Sequence, residues 1–102
     1  MIRVLITRKG ESIVRAEVKG HANYAEYGKD IVCSGVSAIV QTAGLSAEPL
    51  GARVNQSDGH YIIDVGEFDC HDMQVLLKAM EKGIKAIADN YPKNIKMEEK
   101  VL

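Results

Sequence analysis

Apolar and polar residues alternate through Ile2, Val4 and Ile6, and again through Val14, Ala16 and Val18, with Arg15, Glu17 and Lys19 between or after them. A period of two belongs to a half-buried strand, and the turn formers from Arg8 to Ser12 join the two runs into a hairpin. From Gly20 to Lys29 the period is lost. That stretch reads as a loop, long enough to suggest a functional or moving segment. Helical spacing starts at Asp30, with Val32, Val36, Ile39, Val40 and Ala43 recurring every three or four residues and Asp30 placed to cap the first turn. Gly35 costs a helix interior about 1 kcal/mol relative to Ala, so its presence predicts close approach of another backbone. A second hairpin follows, Arg53 to Gln56 and Tyr61 to Val65, across Ser57-Asp58-Gly59. The longest amphipathic run extends from Asp69 to Tyr91 and stops at Pro92. Beyond it, Ile95 and Met97 in the tail fit a short edge strand or a frayed end.

The order ββαββα, with a C-terminal strand as an option, predicts an α+β, two-layer architecture: two helices on one face of a mostly antiparallel sheet of four to five strands. At 102 residues the chain suits a single domain, 1–102, able to bury about two thirds of its unfolded surface without disulfides or metal. The other sheet face is then either solvated, through Arg3, Arg15, Glu17 and Lys19, or covered by a second subunit.

Charge narrows the function classes. Thirteen Lys and Arg against 14 Asp and Glu leave a net charge of −1. That balance excludes a broad basic field, and no direct nucleic-acid binding is expected. The N-terminus lacks a signal-peptide pattern and no window reads as a span of about 20 apolar residues, so the expectation is a cytoplasmic protein with no membrane attachment. In that reducing setting Cys33 and Cys70 are expected as free thiols.

Candidate chemistry centres on His21 and Cys33, one ending a strand and the other opening a helix. Twelve positions could span about 40 Å if extended, so only a folded-back loop brings them together. A helix N-terminus and a neighbouring imidazolium could supply the roughly 2.7 kcal/mol that lowers a thiol pKa by two units. Asp30 could cap the helix or orient His21, and the first-turn amides, including that of Cys33, are natural oxyanion donors. The plainer alternative makes Cys33 a small buried hydrophobe and His21 an ordinary strand-end residue. Cys70 and His71 are adjacent, hence about 100° apart on a helix, and do not form a working pair. No short ligand spacing points to a metal, and Gly28-Lys29-Asp30 lacks the rest of a phosphate loop.

The segments Gly20-His21-Ala22, Gly28-Lys29-Asp30-Ile31-Val32-Cys33 and Val36-Ser37-Ala38-Ile39-Val40-Gln41-Thr42 together resemble the ribosomal-processing cysteine protease family, Prp. The likeness covers nearly the whole chain, with Ser34-Gly35 departing from the two alanines frequent in the family. The resemblance implies a small α+β cytoplasmic protein, commonly a homodimer and needing no cofactor. It implies a protease that removes the N-terminal extension of the twenty-seventh protein of the large ribosomal subunit. It implies Cys33 as nucleophile and His21 as base, with Asp30 and Ser37 at supporting positions. The loop with Tyr24, Tyr27 and Gly28 becomes either a substrate lid or an ordinary anchored loop. A competing reading is a non-catalytic assembly factor that binds a ribosomal protein.

Overall fold

The computed structural model describes residues 1–21 and 30–102; Tyr24, Tyr27 and Gly28 of the expected substrate loop lie outside them. The elements are β1 (Ile2–Lys9), β2 (Ser12–Lys19), α1 (Ile31–Ala47), a 3-10 turn (Glu48–Leu50), β3 (Arg53–Ser57), β4 (His60–Asp64), α2 (His71–Asn90) and β5 (Ile95–Val101). They build a two-layer α+β fold around one sheet of order β3-β4-β2-β1-β5. Neighbouring strands are antiparallel except β5, which runs parallel to β1. The tail is therefore a seven-residue strand, and the sheet is mixed. The direction follows from the connections: β4 runs the same way as β1, α2 returns along the sheet, and β5 must set out again in the β1 direction. Ile95, 3% exposed, anchors its start in the core.

One sheet face enters the core through Ile2, Val4, Ile6, Ile13, Ala16, Tyr61 and Ile63. The β2 contribution differs from the expected Val14, Ala16, Val18 row. Register shifts between Thr7 and Arg8, so that Thr7 opposes Arg15 while Arg8 opposes Ile13, and Val14 is the extra residue of a bulge. The bulge turns Ile13 inward and leaves Val14 and Val18 half-buried.

Both helices cover this face. Val32, Val36, Val40, Ala43 and Ala47 come from α1, and Met73, Leu77, Met80 and Ile84 from α2. Glycines set the helix–helix contact reciprocally: a Cβ on Gly35 would lie 3.2 Å from Ile87 Cδ1, and one on Gly83 would lie 3.1 Å from Ile39 Cδ1. What approaches Gly35 is thus an isoleucine side chain, where a backbone was expected.

Residues 31–50 also meet, by length and a mean hydropathy of 1.2, the threshold for a membrane-crossing helix, which the apolar-run argument had not flagged. In the fold Val32, Val36, Val40, Ala43 and Ala47 pack part of this apolar surface into the core, while Ile31 and Leu45 stay exposed.

The opposite sheet face is charged. Arg3 pairs with Glu98 at 3.6 Å, Arg15 with Glu17 at 3.6 Å, and His60 Nε2 lies 2.6 Å from Glu17 Oε2. The hydrogen bond with His60 holds the Glu17 carboxyl below its ordinary range, with burial opposing it and Arg15 assisting.

Candidate active site

The first turn of α1 is built around Asp30. Its backbone is extended (φ −79°, ψ 100°) and its Oδ1 accepts hydrogen bonds from the N–H groups of Val32 and Cys33, each 3.0 Å. Its carbonyl accepts the first helical bond, from Ser34 N at 3.0 Å. Asp30 is 6% exposed, so capping occupies a buried carboxylate at the helix terminus that favours it. The geometry revises one expectation: the Cys33 amide, read from sequence as an oxyanion donor, is already engaged by Asp30. Cys33 itself is half-buried and packs against the core.

His21 is delivered from the opposite layer. The chain leaves β2 at Lys19 and swings through Gly20 at φ +94°, where a Cβ would collide with the Met1 carbonyl oxygen. Only glycine makes this exit without strain. Because β4 pairs with β2 through Lys19↔His60, the β3–β4 turn lies beside the same strand end. Gly20 N–H donates to Gly59 O at 2.9 Å.

His21 and Cys33 line one cavity of about 650 Å³, together with Asp30, Ser34 and Ser37. Cys33, Ser37 and Gln41 sit at successive four-residue steps on α1, which puts a thiol, a hydroxyl and a carboxamide along one helix face. Ile2, Val18, Val36 and Val40 supply apolar wall, and residues 56–61 of the β3–β4 hairpin line it as well. Tyr61 belongs to that wall; burial pushes its phenol up from the ordinary value.

The hairpin wall was missed from sequence. Ser57-Asp58-Gly59 signals a turn, but only the β2–β4 register shows which end of the sheet it occupies. Cys70 takes a different role: its Sγ accepts the Met73 N–H at 3.4 Å as the N-cap of α2, and His71 is 90% exposed. Among the described residues no three His, Cys, Asp or Glu side chains form a metal-holding group.

A family model described as cysteine protease Prp matches residues 1–96 of the chain. The ribosomal processing cysteine protease Prp of Staphylococcus aureus is 32% identical over 106 residues, covering 98% of this chain and 100% of its own. The Bacillus subtilis protein of the same description is 28% identical, with both chains fully covered. A crystal structure of the S. aureus protease with a covalently linked product peptide superposes with a TM-score of 0.89 at 32% identity, covering 98% of this chain and 100% of that one. A second, with a substrate peptide, gives 0.83 at 31% identity and the same coverage.

Proposed function

Because this chain belongs to the cysteine protease Prp family, we propose that it processes a ribosomal protein precursor by covalent catalysis, with Cys33 as nucleophile and His21 as general base. The observation that supports these roles is the placement of a helix-start thiol and a strand-end imidazole on one cavity. In this reading His21 takes the Cys33 proton and the thiolate attacks the scissile carbonyl carbon. The tetrahedral oxyanion collapses, the C–N bond breaks, and the imidazolium protonates the departing amine, which is the new N-terminus of the mature protein. A thioester between Cys33 and the removed segment remains. His21 then deprotonates a water that hydrolyses it, freeing the thiol and a peptide carboxylate. With the Cys33 amide tied to Asp30, the Ser37 hydroxyl and the Gln41 carboxamide are the side-chain donors available along the α1 face for the oxyanion.

The substrate assigned by this reading is the N-terminal extension of the twenty-seventh large-subunit ribosomal protein, with Tyr24, Tyr27 and Gly28 as substrate-loop residues and a cytoplasmic homodimer as the working form. Sedimentation of the purified protein tests the dimer. Incubation with the extended ribosomal protein tests the activity: loss of the N-terminal segment is expected from the wild type, and none from Cys33→Ala or His21→Ala. Undiminished cleavage by Cys33→Ala would overturn the assignment in favour of a binding role with a different protease at work.

A further inference from the structure

We infer that Gly59, in the turn between β3 and β4, is a positioning residue that seats the His21 imidazole; this rests on His21 being the general base. Two contacts fix the geometry. The Gly59 carbonyl accepts the Gly20 N–H at 2.9 Å, holding the backbone immediately before His21. The bare Cα of Gly59 then faces the ring: a Cβ there would lie 3.2 Å from His21 Nε2, 3.7 Å from Cε1 and 3.9 Å from Cδ2. The turn therefore sets both where the chain delivers His21 and how far its ring can swing toward the hairpin. The same residues, 56–61, form a wall of the cavity, so a peptide filling it leans on the element that seats the base.

Gly59 has φ +68°, so replacing it adds backbone strain as well as a Cβ. The molecule contains its own control. Gly10 has φ +62° in the β1–β2 turn, where a Cβ would meet nothing within 4 Å and which lies outside the cavity. Gly10→Ala thus carries matching strain without the collision. Gly59→Asn keeps the Cβ while tolerating the positive φ better than alanine, should Gly59→Ala fold poorly.

The experiment measures kcat and KM for cleavage of a peptide spanning the extension, together with the imidazole NMR signals. In Gly59→Ala and Gly59→Asn, kcat falls at least about tenfold with KM changed far less, as misplacement of a reacting group predicts. The His21 ring signals shift while those of exposed His71 stay, and Gly10→Ala behaves as wild type. If Gly59→Asn keeps full kcat, or loses no more than Gly10→Ala, while His21→Ala is inactive, the seat is refuted and the mechanism stands. If His21→Ala itself cleaves normally, the mechanism is refuted and the seat with it.

Discussion

Asp30 and Cys33 stand three residues apart in one helical turn, and their relation decides how the site is wired. The Asp30 carboxylate accepts from the Cys33 amide, so it serves as a cap. Asp30→Ala should cost about 1 kcal/mol of stability in urea unfolding, while Asp30→Asn, a comparable cap, should keep both stability and cleavage. An Asp30→Asn protein of wild-type stability with cleavage lost would assign Asp30 to orienting His21 instead. At the far sheet face, His60 holds the Glu17 carboxyl below the ordinary value of 4.5. A depressed carboxylate contributes stability that is complete above its unfolded value and disappears as pH falls through the folded one. His60→Ala should therefore be less stable than wild type in urea at neutral pH, with the difference vanishing in strong acid. Residue identities of this kind were legible where a motif fixed them, as for the Asp30 cap. The Glu17–His60 pair was not, because it joins residues 43 apart through the β2–β4 register.

Between elements, glycines divide into those that face a yielding neighbour and those that face a rigid one. At Gly35 a Cβ meets the methyl tip of Ile87 at 3.2 Å, which can rotate away, and alanine gains up to about 1 kcal/mol of helix propensity. Gly35→Ala should be near neutral. At Gly44 a Cβ overlaps the Tyr61 hydroxyl and comes within 2.9 Å of the ring carbons Cε1 and Cζ. A buried ring cannot retreat as a methyl can, so Gly44→Ala should lose about 1–3 kcal/mol in the same unfolding assay. The apolar periodicity marked both helices and the first hairpin, since period alone reports which face is buried, and the turn formers Ser57-Asp58-Gly59 marked the second. It placed β2 one residue wrong near Val14 because a bulge interrupts the period without a sequence signature of its own. It also flagged Gly35 without showing what fills the notch.

For the whole molecule, β5 closes the sheet edge and supports the site from behind. Ile2, which lines the cavity, donates its N–H to Asn94 O at 2.8 Å and pairs with Ile95, while Arg8 is clamped between Glu81 and Glu99. Ending the chain after Asn94 removes a buried Ile and one whole ladder, and should destabilise the protein by more than about 3 kcal/mol in thermal unfolding. A truncated protein as stable as the full chain would mean that β5 is dispensable. Sequence left this strand undecided because a seven-residue tail with four charged residues resembles a solvated end; its place depends on the direction in which α2 returns the chain.

The proposed mechanism forms a covalent bond to one sulfur, so the most direct measurement is intact-protein mass spectrometry of the enzyme quenched during turnover of the extended ribosomal protein. It predicts a transient adduct with the mass of the removed segment less one water, localised by fragmentation to Cys33 and absent from Cys33→Ala. Cleavage that proceeds in Cys33→Ala, or an adduct mapped to Cys70, would contradict it.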